Sequence, residues 1–246
     1  MTEKINDIAY GPLPEQRLDL YWGGPGISLP VPLVASNNVA GWTYANEEAG
    51  PALEVATAFV PHGFAAASIR CRATTHKDQV EDFAAAVAFL RSYPSLFDLS
   101  RVHLMGASAG AHLALMAALG GVPCRSVVSI CGPTDLTQLP VVRAMRPDLI
   151  PQVFGSDAPK QLLPVSPISH VRAGLPAVLL VHGVSDPLVP TYAVCEFYEA
   201  MKEAGNAISA IMVHHEKHLE SHDPLMGSMP RKDELIQKII DFVKRT

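Results

Sequence analysis

Short apolar runs alternate along the chain with longer segments in which apolar residues recur every three or four positions. The runs that predict strands are 18–22, 31–35, 65–70, 102–105, 127–131, 177–182 and 209–213. Such short and strongly apolar runs are typical of strands that are covered on both faces. The segments that predict helices are 47–60, 77–93, 109–119, 191–204 and 232–244, and glycine follows two of them at the position where helices commonly end.

Strands that alternate with helices imply a parallel sheet with helices on both of its faces. No internal repeat and no linker interrupts the pattern. We therefore predict that residues 1–246 form a single α/β domain with a mostly parallel central sheet.

Residues 136–167 interrupt this alternation. The stretch is rich in proline and has no regular period, and it is too long for an ordinary connection between a strand and a helix. We predict a lid-like insertion over one edge of the sheet, with one or two short helices near 141–154. Long connections of this kind often shape a binding site.

Composition and charge exclude several classes of protein. Of the 246 residues, 48% are hydrophobic and 17% are charged, which is enough apolar material for a large core. The net charge of −5 and the lack of a basic patch argue against nucleic-acid binding. The apolar runs are too short to span a bilayer, the N-terminus lacks an apolar signal segment, and the four cysteines lack metal-binding spacing. We expect a cytoplasmic protein that binds no membrane and no metal. The sequence leaves open whether it forms a homodimer.

The pentapeptide Gly106-Ala107-Ser108-Ala109-Gly110 has the form GxSxG and lies between a predicted strand and a predicted helix. This arrangement sets a nucleophilic serine on a tight turn clear of the sheet, and the glycines let strand and helix approach each other. The helix N-terminus directs backbone N–H groups, among them that of Ala109, towards a developing oxyanion. Ser108 is therefore the candidate nucleophile.

A nucleophilic serine needs a base, and the base needs a carboxylate that orients it. Asp186 follows the predicted strand 177–182 at the edge where open α/β sheets bind ligands, and it comes after Ser108 as the chain order of this fold class requires. Asp135 also follows a strand, but its surroundings favour a turn or cap. Asp186 is therefore the candidate acid, with Asp135 second.

The candidate base lies among four histidines that follow the last predicted strand. His218 is five residues past that strand, which leaves room for the chain to curl back over the sheet, whereas His214 and His215 lie too close and His222 lies far. The same histidines do not have the HExxH spacing of a zinc site, which disfavours a metal. His112, one turn into the nucleophile helix, is predicted to be a packed core histidine.

From about Arg17 to its C-terminus the chain resembles an α/β-hydrolase of the carboxylesterase group, in the style of compact esterases related to hormone-sensitive lipase, acetyl-xylan or feruloyl esterases and kynurenine formamidase. The supporting pieces besides the GxSxG turn and Asp186 are Gly41-Trp42, Arg72, Asp98 to Arg101 and Ser166-Pro167-Ile168. The resemblance implies the α/β-hydrolase fold and a hydrolase role, which agrees with the predicted triad of Ser108, His218 and Asp186, and we expect no cofactor. The predicted reaction is the cleavage of small-molecule carboxylic esters through an acyl-enzyme, and the small lid and the size of the domain favour small to medium acyl groups.

The loop after the third strand departs from the pattern of these esterases, which carry HGGGW there. Anchored on Trp42, the histidine is replaced by Asn38 and two glycines by Val39 and Ala40. Backbone N–H groups survive such substitutions, so Ala40 and Gly41 stay candidate oxyanion donors together with Ala109. The side-chain amide of Asn38, or of Asn37, is an alternative donor. Trp42 is predicted to pack at the rim of the acyl pocket, with an ordinary core position as the alternative.

Other functions also fit this sequence. An amidase or formamidase would use the same triad, a non-catalytic binding protein would have lost the oxyanion loop, and a metal-assisted hydrolase would use the histidine cluster. The fold alone does not distinguish them.

Overall fold

The molecule is built around an eight-stranded, mostly parallel sheet. The computed structural model describes residues 2–24, 26–37, 39–45, 51–214 and 232–246. The strands are β1 (Glu3–Ala9), β2 (Arg17–Trp22), β3 (Val31–Asn37), β4 (Val39–Ala40), β5 (Tyr44–Ala45), β6 (Ala65–Ile69), β7 (Phe97–Ala107), β8 (Ser126–Ile130), β9 (Ala177–Gly183) and β10 (Ile208–Val213). The sheet order is β1-β2-β6-β3-β7-β8-β9-β10, and β4 pairs with β5 outside it. Strand β2 runs antiparallel to both of its neighbours, β1 and β6, and the other described pairings within this sheet are parallel.

Helices cover both faces of the sheet. They are α1 (Pro51–Ala58), α2 (His76–Arg91), α3 (Ala109–Leu119), α4 (Pro140–Met145), α5 (Leu149–Phe154), α6 (Pro159–Leu162), α7 (Thr191–Glu203) and α8 (Lys232–Arg245). Helices α2, α3 and α7 pack on one core, and α1 and α8 pack on the other. Alternate strand residues supply the two cores, as Leu104 and Met105 do. Within the described ranges, no helix has the length and apolar character needed to cross a bilayer.

The predicted α/β architecture is confirmed. Each predicted strand is present with shifted ends, and β7 begins at Phe97, several residues before the predicted 102. Strand β1 was missed because its residues, EKINDIA, are mostly exposed and carry no apolar period. The predicted helix 47–60 corresponds to α1, which begins at Pro51, and residues 46–50 lie outside the described residues.

The connection between β8 and β9 holds the predicted insertion. It contains α4, α5 and α6 together with short 3₁₀ turns, and α4 and α5 correspond to the one or two short helices expected near 141–154. Helix α5 buries Leu149, Ile150 and Val153 in the core that also packs on α3, whereas α4 buries none of its residues. Ser166 fastens the two ends of the insertion, because its hydroxyl donates to the Leu162 carbonyl and accepts from the Leu136 N–H.

Candidate active site

Ser108 occupies the junction between β7 and α3 in a strained conformation. Its φ of 51° and ψ of −120° lie outside the regions that non-glycine residues usually adopt, and such a residue costs about 1–3 kcal/mol. Its N–H donates to the Ile130 carbonyl at 2.8 Å, and its own carbonyl accepts from the N–H groups of Ala111 and His112. The strand–turn–helix context predicted for the motif is confirmed, and these backbone bonds hold the turn in place.

Two glycines of the motif are required by close backbone contacts. A Cβ at Gly106 would lie 2.3 Å from the carbonyl carbon and oxygen of Gly110. A Cβ at Gly110 would lie 2.6 Å from the carbonyl oxygen of Asn37, the last residue of β3. The loop that follows β3 therefore lies directly against the first turn of α3, beside Ser108.

That loop keeps glycine where its backbone needs one. Gly41 has a φ of 54° and Trp42 one of 57°, whereas Val39 and Ala40 lie in the short strand β4 and pair with β5. An extended conformation suits a β-branched residue such as Val39. The replacement of two glycines by Val39 and Ala40 is therefore compatible with this backbone. Asn38 lies outside the described residues.

Asn37 braces the loop with both ends of its side-chain amide. Its Oδ1 accepts from the Val39 N–H at 2.9 Å, and its Nδ2 donates to the Sγ atom of Cys71 at 3.2 Å. The amide of Asn37 is thus engaged inside the protein, which argues against its use as an oxyanion donor. The candidate oxyanion donors are then the backbone N–H groups of Ala40, Gly41 and Ala109. The Ala109 N–H qualifies because the first N–H of a helix has no acceptor within that helix.

Asp186 is a buried carboxylate fixed by its own turn. Its Oδ1 atom accepts from the N–H groups of Leu188 at 2.8 Å and Val189 at 2.9 Å. Its Oδ2 atom lies 3.8 Å from Nε2 of His182, and that nitrogen is 3.0 Å from the Val189 carbonyl oxygen. Asp186 can therefore both cap its turn and serve as the triad acid. Its Oδ1 atom accepts the two N–H groups of the turn, and these bonds fix the direction of its Oδ2 atom.

The sheet register brings Ser108 and Asp186 to the same edge. Ala107 pairs with Ile130, and Ile130 pairs with Val181, so β7, β8 and β9 end side by side. Ser108 directly follows β7, and Asp186 comes three residues after β9. Both therefore follow the carboxyl ends of the strands, separated by one strand, where sheets of this class bind ligands.

Of the candidate bases, only His214 is among the described residues. It directly follows β10, the neighbour of β9, and it is exposed. His215, His218 and His222 lie outside the described residues, so His218 stays a prediction. The described ranges contain no group of three or more His, Cys, Asp or Glu residues arranged to hold a metal ion.

Asp135, the second candidate acid, caps a 3₁₀ turn. Its Oδ1 atom accepts from the N–H of Thr137 at 2.8 Å and from the hydroxyl of the same residue at 2.7 Å. The cap interpretation of Asp135 is confirmed.

A buried aromatic cluster joins the loop after β3 to the insertion. Trp42 is only 4% exposed, and its ring centroid lies 5.6 Å from that of His112 and 5.4 Å from that of Phe154, the last residue of α5. The ring of His76 lies 5.0 Å from that of His112. Burial lowers the pKa of His112 well below its usual value of 6.5, and it lowers that of His76 to about 4. Nδ1 of His112 accepts from the indole N–H of Trp42 at 3.2 Å, so His112 is a hydrogen-bonded core histidine, as predicted. The sequence pattern did not indicate that the ring of Phe154, 5.9 Å away, would pack against it.

Comparison with known proteins agrees with this geometry. The BD-FAE family model matches residues 18–201. Esterase LipQ of Mycobacterium tuberculosis is 28% identical, over 83% of this chain and 54% of its own length. A probable isoprenylcysteine alpha-carbonyl methylesterase, ICMEL1 of Oryza sativa subsp. japonica, is 26% identical, over 98% of this chain and 63% of its own. The chain thus spans between half and two thirds of these curated relatives.

Solved structures share the fold at low sequence identity. A truncated carbohydrate esterase from gut microbiota superposes with a TM-score of 0.84 at 20% identity, covering 99% of this chain and 95% of that one. Esterase B from Lactobacillus rhamnosis gives a TM-score of 0.81 at 18% identity, covering 99% and 85%. The predicted α/β-hydrolase fold is confirmed. Because the family model matches most of its length, the chain belongs to the BD-FAE family.

Proposed function

We propose that the protein is a serine hydrolase that cleaves small-molecule carboxylic esters through an acyl-enzyme. The observation that carries the proposal is Ser108, held at a positive φ between β7 and α3 and faced by the loop after β3. Strain of this kind persists only where surrounding structure enforces it, and it is concentrated at functional sites. The esterase names of the relatives support the same chemistry.

In the proposed mechanism, His218 takes the proton of the Ser108 hydroxyl, and the Oγ atom attacks the ester carbonyl. The N–H of Ala109 and an N–H of Ala40 or Gly41 stabilise the tetrahedral oxyanion, with the side chain of Asn38 as the alternative donor. The protonated His218 then gives its proton to the departing alcohol, which leaves the acyl group on Ser108.

Water completes the cycle by the same steps. His218 removes a proton from a water molecule, the hydroxide attacks the acyl-enzyme, and the acid leaves as Ser108 regains its proton. Asp186 orients the imidazole and stabilises its protonated form, a role that suits a carboxylate fixed by two backbone N–H groups. No cofactor takes part in this mechanism.

The insertion, residues 136–167, is proposed to act as a small lid, and Trp42 to border the acyl pocket beneath it. Helix α5 supports this placement, because its Phe154 packs on the ring of Trp42. A lid of this size favours small to medium acyl groups. A cytoplasmic location and a single domain over residues 1–246 are part of the same proposal.

The nucleophile is tested with p-nitrophenyl esters of increasing acyl length and a matching anilide, together with labelling by an organophosphonate. Ser108→Ala should abolish turnover and labelling without unfolding the protein, whereas Ser92→Ala, at an exposed serine beyond the far end of α2, should change neither. Full turnover by Ser108→Ala would refute the acyl-enzyme. Labelling of the wild type without turnover of any ester or anilide would indicate a binding protein instead.

The base is tested by replacing each of the four histidines with alanine. His218→Ala should lower kcat by orders of magnitude, with far smaller losses for His214, His215 and His222. The rate should rise with pH through a pKa near that of histidine, about 6.5 when unperturbed. A large loss for His222→Ala with His218→Ala nearly silent would move the base assignment to His222.

A further inference from the structure

His112 uses both nitrogens of its ring to join separate parts of the site. It lies on α3 four residues after Ser108 and is completely buried. Its Nδ1 accepts from the indole N–H of Trp42 at 3.2 Å, and its Nε2 lies 2.8 Å from the Val165 carbonyl oxygen. An Nδ1 that accepts leaves the proton on Nε2, so Nε2 donates to Val165. One neutral ring thus connects the nucleophile helix, the loop after β3 and the insertion.

Trp42 is held in a conformation that it would not adopt by itself. Its φ of 57° is rare for a bulky residue, which costs free energy unless the surroundings enforce it. The Trp42 carbonyl accepts from the side-chain amide of Gln79 on α2. The indole ring packs nearly perpendicular to the rings of His112 and Phe154, at interplanar angles of 79° and 76°.

The backbone of Trp42 and the candidate oxyanion donors are covalently coupled. Gly41 directly precedes Trp42 and also has a positive φ, so the two residues form one tight turn after β4. If Trp42 relaxed to a common backbone conformation, the peptide planes of Ala40 and Gly41 would rotate with it. A hydrogen bond that holds the indole in place therefore also fixes the direction of these N–H groups.

We propose that His112 is a positioning residue for the ester hydrolysis proposed above: by holding Trp42 it fixes the oxyanion loop, and by its separate bond to Val165 it holds the insertion. The inference rests on the proposed function. Oxyanion donors act most strongly in the transition state, so a misdirected loop lowers kcat and leaves KM nearly unchanged.

Three substitutions separate the two hydrogen bonds of His112. His112→Gln places an amide N–H near the position of Nε2 and keeps the Val165 bond, but with its Nε2 there it places no acceptor at the position of Nδ1, where the Trp42 indole N–H donates. His112→Asn keeps an acceptor near the position of Nδ1 and is too short to reach Val165. Trp42→Phe keeps an aromatic ring and removes the indole N–H.

The expected results follow from the bond that each variant loses. Removing one oxyanion donor costs about 10²–10³ in kcat, and a misdirected donor should cost less, about tenfold. His112→Gln and Trp42→Phe should each lower kcat by about that factor, and the double variant should lose no more than either, because both break the same bond. His112→Asn should keep most of kcat and raise KM, because only the insertion is loosened.

A transition-state analogue supplies a readout that a general loss of packing would not move. A trifluoromethyl ketone adds to Ser108 as a tetrahedral oxyanion, so its inhibition constant should weaken in His112→Gln and Trp42→Phe by the same factor as kcat/KM. His103 is the matched control. It is also a buried histidine, it lies on β7, the strand that leads to Ser108, and its Nδ1 is 2.8 Å from the Ser126 hydroxyl. His103→Gln should lower Tm without lowering kcat.

Unchanged kcat in both His112→Gln and Trp42→Phe would overturn the positioning role, and so would an equal loss of kcat in His103→Gln. If His112→Gln does not fold, Trp42→Phe and the inhibitor decide the question. Turnover by Ser108→Ala would instead refute the proposed function itself. An inactive Ser108→Ala beside silent His112 and Trp42 variants would refute only the role of His112.

Discussion

Replacing Asp186 by asparagine should separate its catalytic role from its structural role. The Oδ1 atom of Asp186 accepts from two backbone N–H groups, those of Leu188 and Val189. An asparagine in the same rotamer keeps an oxygen for both bonds but carries no negative charge to stabilise a protonated imidazole. Stability should therefore be preserved while turnover is lost.

The magnitudes follow from these contacts. With both N–H bonds kept, Asp186→Asn should change the free energy of unfolding by no more than about 1 kcal/mol. Asp186→Ala leaves the buried N–H of Val189 and the half-buried N–H of Leu188 without an acceptor. A buried N–H without an acceptor costs about 1–3 kcal/mol and a half-buried one less, so the variant should lose roughly 3 kcal/mol. Loss of the triad carboxylate as asparagine should lower kcat by up to about 10⁴, the effect of the same change in another serine hydrolase.

The assay combines urea denaturation with kcat for a p-nitrophenyl ester and the rate of phosphonate labelling at Ser108. Asp135→Asn is the matched control, because the Oδ1 atom of Asp135 also accepts a backbone N–H two residues further on. It should change neither kcat nor labelling. If Asp186→Asn kept more than about a tenth of wild-type kcat while Asp135→Asn lost a hundredfold, the acid would be Asp135 and our reasoning from the turn would be wrong.

Three further changes test the supports of the site. Asn37→Ala leaves the buried Val39 N–H without its acceptor, so it should lower the free energy of unfolding by about 1–3 kcal/mol and lower kcat, as denaturation and steady-state kinetics would show; an unchanged kcat would contradict the bracing role. Gly110→Ala forces a Cβ to within 2.6 Å of the Asn37 carbonyl oxygen, so turnover should fall sharply, whereas Gly121→Ala, where a Cβ meets nothing, should keep full turnover despite its positive φ. Burial lowers the pKa of His76 and of His103 to about 4, so both favour the neutral form in the folded state. The stability that comes from keeping these two histidines neutral is fully present above pH 6.5 and is lost as the pH falls towards 4, on the order of 3 kcal/mol for each histidine. Urea midpoints at pH 7 and pH 5 should show this loss of stability, and the loss should be smaller in His103→Phe.

Local sequence determined much of the architecture, because the two kinds of regular structure have different periods. The apolar runs and the 3.6-residue repeats predicted β2, β3, β6 to β10 and the main helices, and the GxSxG spacing predicted the strand–turn–helix at Ser108. Chain order and strand ends predicted where Asp186 lies. These are properties of contiguous residues, so a single sequence contains them. Strand β1 was not predictable in this way, since an exposed edge strand needs no apolar face.

Only the tertiary structure decided which residues support the site, because their partners are distant in the chain. The bond from Trp42 to His112 spans 70 residues, and that from His112 to Val165 spans 53. Nothing near Asn37 in the sequence indicates that its amide would meet Cys71, or that its carbonyl would require a glycine at position 110. Periodicity reports which face of an element is buried, but the identity of the buried neighbour depends on how the elements pack.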